Sequence, residues 1–184
     1  VNLWRAKLVA LVVVLGAVAV IVTLCMREPD EQVTDEGVGV EELGDGVQSV
    51  RLAFASRGAG RTVEERREIV VMEDPASRAR RILEELAAGP TGEDADGTIP
   101  AGTRVRQVFF DGTGGVFADF SREFVDNHPG GSAGELYTIR SIVRTLALNF
   151  PDVERVKILV EGEEIESIAG HIDASLPFPV EQYR

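Results

Sequence analysis

His128 stands between Asp126 and Ser132, so the three residue types of a hydrolytic triad fall in one short stretch. A working triad also needs a strained nucleophile turn and a separate oxyanion hole, and no motif of that kind surrounds Ser132. Ser132 and Glu135 instead have the spacing of a capping box that opens a helix. The run Asn127-His128-Pro129-Gly130-Gly131 is glycine-rich and precedes a helix N-terminus, where backbone N–H groups can meet an anion. It has no lysine in the P-loop position, and Asp126 and Glu135 flank it with negative charge. His171 with Asp173 offers two metal-ligand types, too few for a site. Carboxylate pairs such as Glu163-Glu164 and Glu123 with Asp126 are expected by chance in so acidic a chain. A glycosidase would add an aromatic-lined cleft, and the one tryptophan, Trp4, lies far from these pairs in sequence. The residues therefore point away from catalysis, and no cofactor or metal is expected.

The composition narrows the partners. The 184 residues carry a net charge of -12, which opposes binding to nucleic acid. The single cysteine, Cys25, rules out an internal disulfide and a cysteine-rich zinc site. Against this acidic background, arginines cluster at Arg61, Arg66 and Arg67 and again at Arg78, Arg80 and Arg81. They read either as solvated faces or as a surface that meets the acidic face of a neighbour. Arg78, Arg80, Arg81, Asn127, His128, Gly130 and Gly131 are the candidate interaction residues.

The elements that position them are legible from periodicity. Leu52 and Phe54 alternate in a strand over 49–55, which a turn at 57–61 connects to a return strand over 64–71. Asp74 as N-cap and Pro75 at the first position open a helix that Gly89 and Pro90 end. A strand over 103–110, a glycine-rich turn at 111–115 and a strand from Val116 to Phe120 form a second hairpin. A short helical turn at 121–124 precedes the longest helix, with Leu136, Ile139, Ile142, Val143, Leu146, Ala147 and Phe150 at helical spacing. Val156, Ile158 and Val160 mark a further strand, and a short one follows near Ile165. The tail from Gly170 onward is expected to be ordered only by docking. The order β-β-α-β-β-α-β-β predicts an α+β domain, a small sheet with two helices packed on one face.

Ahead of this domain, residues 8–26 contain no charge. At about 1.5 Å per residue they nearly cross a hydrocarbon core of about 30 Å. Arg5 and Lys7 precede the run, while Glu28, Asp30 and Glu31 follow Arg27, which predicts residues 1–7 in the cytoplasm and the rest outside it. A buried helix, a cleaved signal peptide and lipidation at Cys25 are the competing readings. Val22-Thr23-Leu24 lacks a small-x-small exit, and Leu24 is larger than lipoprotein processing prefers. Residues 27–47 are rich in Glu, Asp and Gly without apolar period and read as an acidic flexible linker to a domain over 48–184.

Six segments carry a family resemblance. They are Ile99-Pro100-x-Gly102-Thr103, Asp119-Phe120-Ser121-x-Glu123-Phe124, Gly130-Gly131-Ser132-Ala133-Gly134-Glu135, Phe150-Pro151-x-Val153, Leu159-Val160-Glu161-Gly162 and Gly170-His171-x-Asp173. In this order the stretch from Val50 to Asp173 resembles the GerMN domain, the sporulation and spore-germination domain of bacteria. The resemblance implies an extracytoplasmic, membrane-attached domain without enzymatic activity. It also implies a fold similar to ring-building motifs, which assemble side by side. The expected function is a scaffold or protein-interaction module of a cell-envelope assembly, single-pass in the inner membrane. Its partners would be envelope proteins or further copies of itself. A glycan-binding module for peptidoglycan is the alternative, and an exposed face shared by Phe109, Phe110 and Phe117 would favour it.

Overall fold

The structure, a computed structural model, describes residues 46–58 and 60–183. The expected membrane segment and most of the acidic linker lie outside the described residues. Among the described residues, no helix is long and apolar enough to cross a membrane.

Strand β1 (Val47–Ser56) buries Val50, Leu52 and Phe54 on one face, and β2 (Thr62–Val70) returns antiparallel to it, from Val47 opposite Val70 to Ala55 opposite Thr62. Helix α1 (Pro75–Ala87) starts as its sequence predicts. The Asp74 carboxylate accepts the Ser77 N–H at 2.8 Å, satisfying one of the free donors of the first turn. Gly89, at φ 88°, ends it in the left-handed region. Ala79, Ile82, Leu83 and Leu86 form its buried stripe.

A two-residue strand, β3 (Ala95–Asp96), leads to the hairpin of β4 (Val105–Phe110) and β5 (Gly115–Phe120). Asp111 organises their turn, because its Oδ1 accepts the N–H groups of Thr113 and Gly115 at 2.7 and 2.8 Å. A Cβ on Gly115 would run into the Asp111 carboxylate, so a side chain there would displace the group that organises the turn. The short α2 (Glu123–Asp126) and the long α3 (Ser132–Asn149) then carry the chain to β6 (Arg155–Val160), which runs parallel to β5. Two-residue strands β7 (Glu163–Glu164) and β8 (Phe178–Pro179) pair with β6, and a 3-10 turn (Val180–Tyr183) follows.

The single sheet expected from the sequence is two sheets. One has the order β2-β1-β3; the other has the order β4-β5-β6-β7, with β8 also on β6. The reason lies at the edge of β1. Asn149 of α3 accepts the Arg51 N–H at 3.0 Å and donates to the Arg51 carbonyl at 2.7 Å. Thr145 accepts the Ala53 N–H at 2.9 Å. Polar side chains of a helix thus take the hydrogen bonds a neighbouring strand would have made, which closes the edge. The two sheets and the helices still share one apolar core. Phe120 stacks on Phe124 in it, and Phe110 meets Phe150 with ring centroids 5.2 Å apart.

The tail docks as expected and adds its own core residues, Ala174, Phe178 and Val180. Its latch is Lys157 of β6, which lies between Val156 and Ile158 and is 3% exposed. Its Nζ donates to the Ala174 carbonyl at 3.1 Å and to the Ser175 carbonyl, with Glu164 at 3.6 Å supplying the counter-charge.

Candidate interaction surface

The loop before α3 is built from two left-handed glycines, Gly130 and Gly131, at φ 81° and 80°. They turn the chain into the helix at no steric cost. Asn127 fixes the loop's start by donating to the Ala101 carbonyl at 2.8 Å. His128 sits inside the turn. Its Nδ1 accepts the Gly130 N–H at 3.1 Å, so the ring proton is on Nε2, which reaches the Thr138 hydroxyl at 3.0 Å. Thr138 in turn donates to the Thr98 carbonyl at 2.7 Å. Both imidazole nitrogens are therefore occupied, and neither faces Ser132. The Gly130 N–H that an anion would need is taken by the imidazole.

This arrangement holds His128 neutral. Burial lowers its pKa from the ordinary value, while the negative charge of Glu135 works the other way. A group whose folded pKa is lowered binds more protons when unfolded. Its contribution to stability is fully present above about pH 6.5 and falls as the pH drops through the folded value. Urea melts between pH 5 and pH 8 are expected to show this slope in the native chain. His128→Asn, whose carbonyl can still accept from Gly130, is expected to flatten it. Parallel slopes in the two proteins would remove His128 as the cause.

Glu135 departs from the capping-box expectation. The N-cap is Gly131, with no side chain to cap, and the Glu135 carboxylate is fully buried and points elsewhere. Its Oε1 accepts the N–H groups of Ile168 and Ala169 at 2.9 and 3.1 Å, and Oε2 accepts that of His171 at 2.9 Å. Burial alone would push its pKa up, but these backbone donors, led by Ala169, bring it below the ordinary value. Thus the Gly130–Glu135 and Gly170–Asp173 segments, separate in sequence, meet through one carboxylate. Asp173 is occupied locally, accepting the Ser175 N–H at 2.9 Å and its hydroxyl at 2.6 Å. Among the described residues, no group of three or more His, Cys, Asp or Glu side chains could hold a metal.

The arginine cluster divides. Arg80 pairs with Glu84 at 3.1 Å, and Arg81 pairs with Glu84 at 3.6 Å and with Glu85, all on α1 itself. Such exposed pairs within one helix contribute little, and their charge is already balanced. Arg78 is half-buried and lies over the Phe150 ring, 4.7 Å from its centroid, without a carboxylate partner among the described residues. The loop residues and the α1 arginines line different cavities. His128 borders one of about 350 Å³ with Asp96 and Tyr137, whereas Arg78 borders one of about 340 Å³ with Phe110 and Phe150.

On the second sheet, Phe109 and Phe117 are register partners on its outer face, and Phe109 is 49% exposed. Phe110 points the other way, against Phe150, so the three phenylalanines do not form one exposed face.

Residues 51–166 match the family described as Germane, sporulation and spore germination. Three solved structures share the fold. A proposed lipoprotein from Clostridium perfringens is 22% identical with a TM-score of 0.54, over 74% of this chain and 90% of that one. The tandem GerMN domains of the sporulation protein GerM from Bacillus subtilis are 23% identical with a TM-score of 0.58, over 72% of this chain and 46% of that one. The first GerMN domain of that protein alone is 22% identical with a TM-score of 0.52, over 71% and 97%. No protein in a curated collection matches the chain. With the six sequence segments inside or bordering the matched stretch, and an α+β architecture in common with the GerM domains, the chain belongs to the Germane family of sporulation and spore-germination domains.

Proposed function

We propose that this chain is a non-catalytic interaction module of a cell-envelope assembly, held at the membrane by residues 8–26 with its Germane domain on the outer side. The observation that carries the reading is where its polar groups go. Glu135 and Lys157 are buried and bound to backbone, and both nitrogens of His128 have partners. The chemistry-bearing residues thus build loops, and surface contacts remain for function. The uncharged run over 8–26 supports the membrane placement, as does the likeness to a proposed lipoprotein.

Crosslinking of the full-length chain in cells, followed by mass spectrometry of the captured material, tests this. A reproducible set of envelope proteins, or crosslinks between copies of the chain, is the expected result. Wall fragments without protein partners would sink it and promote a glycan-binding module. That second reading has its own support in Phe109, whose exposed ring could stack on a sugar. Under it, Phe109→Ser would abolish pelleting of the chain with isolated cell wall.

A further inference from the structure

We propose that the cavity between the start of α1, the β4–β5 turn and the end of α3 receives one acidic side chain from an extended segment of a partner protein. This deepens the interaction-module reading and rests on it. The cavity holds about 340 Å³ and is bordered by Arg78, Phe110, Gly112, Phe150, Pro151 and Asp152 among others. Its walls are aromatic, prolyl and glycine surfaces, and Arg78 is the cation in it.

Arg78 lies there over the face of Phe150, its Cζ 4.7 Å from the ring centroid, within cation–π reach. Its Nε is cut off from solvent without a hydrogen-bond partner among the described residues. The same holds for Nε of Arg67 and Arg144, which have Glu85 and Glu64, so what sets Arg78 apart is a half-buried cation without an anion, which is unfavourable. The chain does not lack carboxylates. Arg80 and Arg81, on the same helix, have Glu84 and Glu85, and Arg155 on β6 has Asp111 at 2.6 Å. Arg78 is thus left with an unmet preference for a carboxylate, which its planar fork suits.

The rest of the cavity decides what kind of acid fits. Its size suits one or two side chains and excludes a folded element. The apolar walls favour a carboxylate flanked by apolar residues. Asp152 on the rim and the net charge of -12 repel a polyanion, which disfavours phosphate-rich ligands and acidic tracts. A segment with a single aspartate or glutamate between apolar side chains meets all three conditions.

The test uses the full chain in detergent micelles and a peptide with blocked termini and an uncharged fluorophore, whose only charge is one aspartate between leucine and phenylalanine. Anisotropy is expected to report binding, and the asparagine version of the peptide is expected to bind at least about tenfold more weakly. Arg78→Gln should cause a similar loss, while the double variant Arg80→Gln, Arg81→Gln should stay within about twofold of the native chain. Asp152→Asn, which removes the repelling charge without touching Arg78, should tighten binding about threefold. That variant keeps the test decisive if Arg78→Gln misfolds. Equal binding of the aspartate and asparagine peptides would overturn the proposal, as would no binding to either the native chain or Asp152→Asn. Displacement of the peptide by soluble wall muropeptides at equal concentration would overturn the assignment to a protein segment. Cellular crosslinks that survive Arg78→Gln would leave the interaction module standing and remove this cavity from it.

Discussion

Glu135→Ala is expected to lower the unfolding free energy by about 3–5 kcal/mol, the range for breaking a buried charged group out of its network. The substitution leaves the N–H groups of Ile168, Ala169 and His171 without their acceptor, and Ile168 is 2% exposed, so water cannot take over there without opening the structure. Total stabilities of small domains are about 5–15 kcal/mol, so the loss is a large share of the whole. Glu135→Gln should fall between, at about 2 kcal/mol, because its amide oxygen can still serve Ile168 and Ala169 while its NH2 opposes the His171 N–H. The two variants are compared by denaturant midpoints and by hydrogen exchange at residues 168–171. Glu135→Ala within about 1 kcal/mol of the native chain would show that the carboxylate does not hold the segment. The lowered pKa fixes the sign of the pH dependence: stability is present above the ordinary carboxyl value near 4.3 and lost as the pH falls through the folded value.

Arg67→Ala should have the next largest effect, about 3 kcal/mol, through a different mechanism. Arg67 ties β2 to the C-terminal end of α1. Its Nη1 donates to the Glu85 carbonyl at 2.9 Å and the Glu85 carboxylate at 3.1 Å, and its Nη2 donates to the Gly89 carbonyl. The last carbonyls of a helix have no partner within it, so the guanidinium completes α1 from outside. Its side chain is 13% exposed and lies 5.9 Å from the centroid of Phe54. Glu65, beside it, accepts the N–H groups of Thr91 and Gly92 at 3.0 and 2.9 Å and builds the loop that follows. Alanine at position 67 removes the cation and leaves Glu65 and Glu85 facing the same space. Arg67→Lys should recover less than half of the loss, since an ammonium cannot reach two carbonyls and two carboxylates in one plane. Full recovery by lysine would mean that charge alone matters and the fork geometry does not.

Both variants act on parts that shape loops, and the loops frame the surfaces on which the proposed interactions depend. Glu135 sets the segment after β7, and Arg67 with Glu65 sets the turn after α1. A crosslinking loss in either variant would therefore reflect unfolding unless a melt shows the domain intact. Arg78 and Asp152 are the cleaner probes of binding, since Arg78 stacks on Phe150 without a hydrogen-bond partner among the described residues and Asp152 is exposed on a turn.

Local chemistry was readable in the chain before it folded. Asp74 and Pro75 start α1, Gly89 ends it, and the glycines at 112 and 114 take the positive φ that the β4–β5 turn requires. These signals act within a few residues, so sequence spacing carries them. The apolar alternation of β1 and the order of strands and helices belong to the same class, and the six family segments were readable as a resemblance. Long-range polar pairing is another matter. Glu135 had the spacing of a capping box, yet it serves residues 33 to 36 positions away. Asn149 and Thr145 of α3 close the edge of β1, 98 and 92 positions distant, which splits one expected sheet into two. Lys157 falls between the apolar Val156 and Ile158 and is buried under a tail that only tertiary docking brings to it. Nor did the sequence distinguish Arg78 from Arg80 and Arg81. That difference arises because Glu84 and Glu85 fall beside two of them, while Phe150, from the far end of α3, covers the third. A hydrogen bond or an ion pair depends on distance in space, and sequence reports that distance only inside one turn or one hairpin.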